Sequence, residues 1–374
     1  MGPTCREDAG KNKVAKQDTR PTIRHVAALA EVSLGTVSRV LNNHNSVKPA
    51  IRKKVLEAID QLGFKPDAIA QSMRVGSTRT IGCILRDLTI PPLMAFISAA
   101  HDTLDAAGFS LLISNTEGRE ERERTLLSSL SRRRIDGIIF GNYTPIVGEF
   151  RDFLLELNVP IVLFDRNEAS FDAVIVDHRA GVFQATKSLL ELGHRRIALI
   201  TGDQHLYLAR ERLQGYQEAF AEMGLSPDPT LLSSKSFLAS AAYDVATDML
   251  QRPEPPTAIL AGGMDMLSGV LRAVHDRGLR IPEDISVIGA ANSDLAELHS
   301  PPIAMIDWDY AKVGRLAATL LLDRINGTAE SEARHVIVPT HYIARPSIGA
   351  PRAAEPAKPK PKSAKPKKDT AAVV

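Results

Sequence analysis

TIRHVAALAEVSLGTVSRVLN, residues 22–42, reads as two short amphipathic helices joined by a tight turn. Thr22 and Ser33 each stand just ahead of an apolar periodic run, where a side-chain oxygen can cap free backbone N–H groups. Ile23, Val26, Ala27 and Ala30 fall on one face of the first helix. Val37, Val40 and Leu41 do so on the second, and Val32 enters from the turn. What remains outward on the second helix is Leu34, Gly35, Thr36, Ser38, Arg39 and Asn42, a face with few acids to repel phosphate. This is the pattern of a helix-turn-helix that reads DNA; the plainer alternative is a small solvated helical hairpin.

A loop, NNHNSV, leads to a third helix with Pro49 at its first turn and Gly63 just past its end. Ile51, Val55, Leu56, Ile59 and Leu62 supply its expected buried face. The following segment, PDAIAQSMRVG from Pro66, is too short to be a stable isolated helix in water. It reads as a linker that becomes helical only when something holds it.

Charge is unevenly placed along the 374 residues, whose net value is only +2. Residues 1–80 carry +7 and residues 350–374 carry +5, which leaves −10 for the centre. Basic ends around an acidic centre suggest that the ends meet a polyanion. A hydrophobic content of 44% suits a large core, and the length exceeds one ordinary domain. Two cysteines, Cys5 and Cys83, make no disulfide framework, which fits a reducing cytoplasm. No apolar stretch approaches the roughly 20 residues of a membrane span. The leader lacks the apolar centre of a secretory signal and reads as a disordered arm, and the Lys/Pro/Ala-rich end cannot bury enough surface to fold.

From Thr80 the pattern changes. IGCIL, FSLLISN, IDGIIFG, PIVLFD, RRIALITG, TAILAGG and DISVIGAA look like buried strands. Amphipathic stretches at 119–134, 179–192, 209–223, 240–251 and 266–278 lie between them. Alternation of this kind argues for parallel sheets flanked by helices, and seven or more strands argue for two α/β lobes. In such sheets ligands sit at the carboxyl ends of the strands.

TIRHVAALAEVSLGTVSRVLNN, VLEAIDQLGFKPDAIAQSMR and TRTIG closely resemble the headpiece and hinge of the lactose-repressor (LacI/GalR) family. RRRIDGIIF, VPIVLFDR, LELGHRRIALITG, RERLQGYQEAF, GLRIPEDISVIG and LLLDRINGT continue the resemblance over residues 22–346. The fold this implies is a small all-α helix-turn-helix headpiece plus an α/β effector core, two-lobed and periplasmic-binding-protein-like. The expected divisions are a disordered arm at 1–20, the headpiece at 21–65, a hinge helix or linker at 66–78, the effector-binding and dimerisation core at 79–346, and a disordered tail at 347–374.

The resemblance also implies a role for individual residues. Leu34, Gly35 and Arg39 match positions that face base edges in the major groove. Arg is the commonest partner of guanine O6/N7, and Leu34 suits a thymine methyl. Thr22, Ser33, Thr36, Ser38 and Asn42 match positions that touch phosphate or orient the helix. Ala70 falls in the hinge, and Met73 stands where the family's hinge leucine wedges into the minor groove. Glu31 occupies a turn position often held by glycine; a left-handed conformation there would cost about 1 kcal/mol.

In relatives the cleft between the lobes binds a small polar molecule, often a sugar or a purine. Arg212 matches the family's ligand-binding arginine and Phe237 an aromatic that stacks on the ligand. Asn142 and the segment 90–93, ending at Leu93, are further candidates. The acid that many relatives place after VxGx is Ala291 here, a second family acid is Met264, and Trp308 fills a site that is often polar. Arg212 unopposed by an acid points to an anionic or less hydroxylated effector, or to none, against the family's usual sugar.

The partners implied are a double-stranded DNA operator, a small-molecule effector and a second copy of the chain, with no cofactor and no membrane. No leucine-heptad tetramerisation helix is present, so a dimer is expected. An enzyme is disfavoured: GxGxxG, Walker A, GxSxG and HExxH motifs are all missing from the sequence. The competing reading is an effector-independent or nonspecific DNA-binding architectural protein with a degenerate pocket, its basic tail adding affinity by counterion release.

Overall fold

A computed structural model of the chain describes residues 21–41, 44–64 and 77–352. The expected arm, Asn42, most of the hinge with Ala70 and Met73, and the chain beyond 352 lie outside the described residues. Two compact units divide at Thr78 and Arg79.

The first unit contains α1 (Ile23–Leu29), α2 (Leu34–Leu41) and α3 (Pro49–Leu62). Val26, Ala27, Ala30, Val37, Val40, Val55, Ala58 and Phe64 form its core. The ring Nδ1 of His25 accepts from the Thr22 N–H (3.1 Å) and so closes the start of α1. Ser33 caps α2: its Oγ accepts from the Thr36 N–H (3.2 Å) and lies 2.9 Å from the Thr36 hydroxyl. The turn between them runs through Glu31 at φ 54°, the left-handed conformation that disfavours any side chain with a Cβ. Gly63, at φ 59°, ends α3 where the sequence places it. One expectation fails here. Leu56 is 52% exposed, and Ala58 is buried in its stead. The buried stripe follows Val55, Ala58, Ile59 and Leu62, and Leu56 sits about 100° off it.

The second unit holds two six-stranded sheets. Lobe 1 contains β1 (Thr80–Leu85), β2 (Ser110–Asn115), β3 (Gly137–Phe140), β4 (Ile161–Phe164), β5 (Asp172–Val176) and β11 (His335–Val338), all parallel, in the order β2-β1-β3-β4-β5-β11. Lobe 2 contains β6 (Ile197–Thr201), β7 (Leu232–Ser234), β8 (Ala258–Ala261), β9 (Ser286–Ala290), β10 (Ala304–Asp307) and β12 (His341–Ile343), in the order β7-β6-β8-β9-β10-β12. Only β12 is antiparallel to its neighbour. Flanking helices are α4 (Leu93–Ala106), α5 (Glu120–Arg132), α6 (Gly148–Glu156), α7 (His178–Glu191), α8 (Tyr207–Glu222), α9 (Ala239–Leu250), α10 (Met266–Asp276), α11 (Asp294–Leu298) and α12 (Tyr310–Asn326).

All seven apolar runs form strands, and apart from the edge strand β2 they read as unbroken because both faces are covered. Along β4, Ile161 and Leu163 join one apolar cluster while Val162 and Phe164 join the cluster on the other face. In β6, Ile197 and Leu199 alternate with Ala198 and Ile200 in the same way.

The sequence pattern does not reveal how the lobes interleave. The chain crosses after β5, after β10 and again after β11, so α12 and β11 return to lobe 1. Buried Asp172 holds that return, accepting from Arg324 Nη2 (2.7 Å), the Arg334 N–H (2.7 Å) and Arg334 Nη2 (3.0 Å). Gly314 lets α12 approach α4 closely, since a Cβ there would collide with the Phe96 carbonyl. Among the described residues no helix is long and apolar enough to cross a membrane.

The tail does not begin at 347. Ser347 is fully buried, donating to the Val287 carbonyl (2.6 Å) and accepting from the Ala304 N–H (2.8 Å). Gly349 donates to Ser286 Oγ (3.0 Å), and its carbonyl lies 2.8 Å from His194 Nε2. The other ring nitrogen of His194 meets Thr257 Oγ1 at 2.7 Å. These side-chain contacts fasten the chain past 346 to lobe 2, although the local sequence carries no strand pattern.

Two outcomes are expected. Glu31→Gly removes the left-handed strain and stabilises the headpiece by about 1 kcal/mol, read as roughly fivefold slower amide exchange in α1 and α2 of the full chain. The second concerns His194, which burial holds neutral and below its ordinary value of 6.5. An unfolded chain takes up that proton first, so this stability is present above about pH 6.5 and is lost as the pH falls. The unfolding temperature should therefore drop on acidification, and His194→Gln, which takes no proton, should flatten that slope.

Candidate functional site

The DNA-facing candidates lie on α2 and its cap. Leu34 opens the helix 45% exposed, an apolar side chain with no core to join. Gly35 and Arg39 are exposed, and Thr36 and Ser38 are half-buried. Arg39 lies back along the helix, its Nε donating to the Gly35 carbonyl (3.2 Å), which sets the guanidinium beside the first turn. Thr22 and Ser33 are exposed at the two helix starts. Val37 and Val40, the buried half of α2, hold this face outward by packing on Val26 and Val55.

In the second unit, most residues singled out around the seam stand just past a strand, while Arg212 lies within α8. Arg86 follows β1, Asn142 follows β3, Asp165 and Arg166 follow β4, Met264 and Asp265 follow β8, Ala291 follows β9, and Trp308 follows β10. A cavity of about 70 Å³ lies among them, lined by Arg86, Leu93, Asp165, Arg212, Phe237 and Met264 together with their neighbours. Of the expected effector residues, Leu93, Arg212 and Phe237 reach this wall. Asn142, Ala291 and Trp308 stand behind it. Ala291 and Trp308 pack with Leu93 and Phe164 in one apolar cluster.

Arg212 is not unopposed, as the sequence suggested. It is 3% exposed, and its Nη2 lies 3.3 Å from His178 Nδ1. His178 Nε2 in turn meets Asp165 Oδ2 at 2.8 Å. Burial and the Arg212 charge outweigh Asp165 and hold the imidazole neutral, below its ordinary value. Its Nε2 proton then goes to Asp165, and Nδ1 is left to accept from Arg212. Asp165 also accepts from the Val176 N–H (3.3 Å). Burial pushes this carboxyl up, yet His178, Arg166 and Arg212 together bring it below the usual carboxylate range. The acid therefore comes from β4 of lobe 1, not from the strand where the family pattern places it.

Arg166 donates through Nη1 to the Asp165 carbonyl (2.7 Å) and through Nε to the Asn142 carbonyl (2.8 Å). Asn142 spends its amide Nδ2 on the Thr144 carbonyl (2.6 Å). Fully buried Glu123 accepts the Thr144 N–H (3.0 Å) and the Tyr143 N–H, and burial raises its carboxyl. Burial lowers both Arg166 and Arg212 to about 10, so both remain charged at neutral pH.

Phe237 is 8% exposed and fits against Gly202, where any Cβ would collide with its ring. The guanidinium carbons of Arg212 and Arg86 stand 5.4 Å and 5.6 Å from the ring centroid. Trp308 packs edge-on to His178, with ring centroids 5.0 Å apart, and Tyr310 OH contacts the Met264 sulfur at 2.6 Å. Ala291 keeps a left-handed φ of 67°, a conformation that Asp or Asn adopts more readily than Ala. Sequence reasoning missed Arg86, Asp165, Arg166 and His178. Their signal was present in ILRD, LFDR and VDHR, each a charged group directly after a buried strand.

The chain matches the model described as bacterial regulatory proteins, lacI family, over residues 22–67, and a periplasmic binding protein-like domain over 186–348. It is 34% identical over 307 residues to the HTH-type transcriptional repressor PurR of Vibrio atlanticus (strain LGP32), covering 81% of this chain and 92% of that protein. The ribose operon repressor of Haemophilus influenzae is 31% identical over 332 residues, covering 87% and 98%. Among solved structures, the complex of the transcriptional regulator CelR with cellobiose is 31% identical with a TM-score of 0.66, covering 88% of this chain and 100% of that one. A lac repressor dimer bound to operator and the anti-inducer ONPF is 26% identical with a TM-score of 0.78, covering 89% and 100%. The PurR, ribose operon and lac relatives are repressors and CelR is a transcriptional regulator; the present chain is likewise a DNA-binding transcription regulator and not an enzyme. With a helix-turn-helix ahead of two interleaved α/β lobes and these similarities along most of its length, the chain belongs to the LacI family of bacterial regulatory proteins.

Proposed function

We propose that the protein is a cytoplasmic repressor that binds an approximately palindromic operator as a homodimer and is modulated by a small molecule held between the lobes of its core. The observation that carries the DNA half is the outward face of α2, where exposed Leu34 stands beside Gly35 and Arg39 with no acid among them. Leu34 meets a thymine methyl, Arg39 reads guanine, and the missing side chain at Gly35 lets the helix approach. Thr22, Ser33, Thr36, Ser38 and Asn42 fix register on phosphate. In the hinge, Ala70 and Met73 face the minor groove, Met73 as the wedge.

A dimer is supported by the edge of lobe 1. Strand β2 ends its sheet with Leu112 and Ile113 37% and 40% exposed, and Met94 on α4 is 47% exposed. An apolar sheet edge of this kind suits pairing with a second copy. The effector half is supported by the cavity at the strand ends, with Leu93, Arg212 and Phe237 as wall and Asn142, Ala291 and Trp308 behind it. A volume of about 70 Å³ is too small for a sugar-sized ligand, so binding requires the lobes or Phe237 to move. The ligand then shifts the population of lobe arrangements by its differential affinity for them.

Two substitutions test the DNA reading. Selection from a randomised operator library should show that Arg39→Ala loses preference at one base pair per half-site, by about tenfold or more. A uniform loss on all sequences would make Arg39 a phosphate contact. Met73→Ala should weaken operator binding and reduce the DNA bend while leaving the core's unfolding temperature unchanged; an unaltered bend would remove the wedge role.

A further inference from the structure

We propose that the molecule taken by this cavity carries an oxyanion, a carboxylate or phosphoryl group, gripped by the guanidiniums of Arg86 from lobe 1 and Arg212 from lobe 2 beside the Phe237 ring. The proposal deepens the effector reading above and rests on it.

The polar groups on the wall decide the chemistry. Each of its acids already accepts at least one hydrogen bond. Asp165 accepts from His178 (2.8 Å) and from the Val176 N–H (3.3 Å). Asp87 turns to the Thr89 N–H (2.8 Å) and hydroxyl (2.7 Å), and exposed Asp265 accepts the Ala239 N–H (3.0 Å). Arg166 is spent on two backbone carbonyls. Arg86 and Arg212 keep unspent donors. Arg212 Nη1 is buried without any hydrogen-bond partner, and Arg86 stands over the Phe237 ring with its charge facing Asp87 and Asp265. A buried guanidinium N–H without an acceptor is costly, and an oxyanion accepting from the Nη1 of Arg212 relieves that cost directly.

The rest of the wall gives a neutral polyol little to hold. Leu85, Ile90, Leu93, Leu206, Leu208 and Met264 are apolar. Sugar hydroxyls need acceptors as well as donors, and the position directly after β9 carries the buried methyl of Ala291 in place of an acceptor side chain. Because Arg86 and Arg212 belong to different lobes, one anion between them favours a particular lobe arrangement, which gives its binding a conformational consequence.

The test uses the full chain and matched probes: glucuronate against glucose, benzoate against benzyl alcohol, and glycerol phosphate against glycerol. Binding is read by the fluorescence of Trp308, the only tryptophan, and by thermal shift. In at least one pair the charged member should bind about tenfold or more tighter than its neutral counterpart. Which pair responds separates carboxylate from phosphoryl recognition. Arg86→Gln should abolish that preference, and Arg86→Lys should retain part of it. Arg86 lies at the surface end of the cavity wall, so these variants remain folded if their thermal transitions match the parent chain. Equal or tighter binding of the neutral members overturns the oxyanion and leaves the effector cavity standing. Anion binding unchanged in Arg86→Gln places the anion elsewhere and also overturns it. No response to any probe at millimolar concentration overturns both the oxyanion and the effector reading.

Discussion

A single buried carboxylate organises the seam of the core. Asp165, 7% exposed at the end of β4, cannot remain charged in that position without partners. It recruits them from across the molecule: His178 at the first turn of α7, Arg212 behind that ring, Arg166 beside it, and the Val176 N–H at the end of β5. His178 starts the first segment to cross into lobe 2, and Arg212 belongs to lobe 2 outright. The Asp165 charge is therefore satisfied in part across the lobe boundary, through His178 and Arg212. Neutral His178 transmits the attraction without adding a proton of its own, because burial and Arg212 hold it uncharged.

The topology makes that constraint consequential. Both sheets are parallel up to β12, so their carboxyl ends converge on one seam, and a turn after each strand delivers one or two side chains to it. Three crossings tie the lobes, with Asp177 and Asp309 capping α7 and α12 where the chain changes sheet. A ligand that rearranges Arg212 or Phe237 thus disturbs groups already coupled to lobe 1. Strain is stored at the same seam, since Asp165 and Ala291 both hold left-handed backbone directly after strands.

The headpiece was legible almost residue by residue, because its helices are short, capped and periodic over a few turns. Ser33, Pro49 and Gly63 act where their local chemistry places them. The left-handed turn at Glu31 stands where the family resemblance often places a glycine. Leu56 was misjudged because the buried stripe of α3 follows Val55, Ala58, Ile59 and Leu62, which leaves Leu56 about 100° off it. In the core the strands were equally plain, while β5, β7, β10, β11 and β12 carried weaker signals. The cavity was legible only in part. Leu93, Arg212 and Phe237 were reached by family resemblance, whereas Arg86, Asp165, Arg166 and His178 were not singled out.

Sequence alone determined the headpiece helices and their ends, the outward face of α2, and seven strands and five helices of the core. These follow from periodicity and capping within a few residues, where the chain is its own context. Tertiary structure alone decided that β11 returns to lobe 1, that residues past 346 are fastened by His194 and Ser286, and that Arg212 is answered by Asp165 through His178. Each of those contacts joins residues distant along the chain. Their energy comes from burying charge and backbone polar groups together, and no local pattern encodes which distant partner will be there to satisfy them.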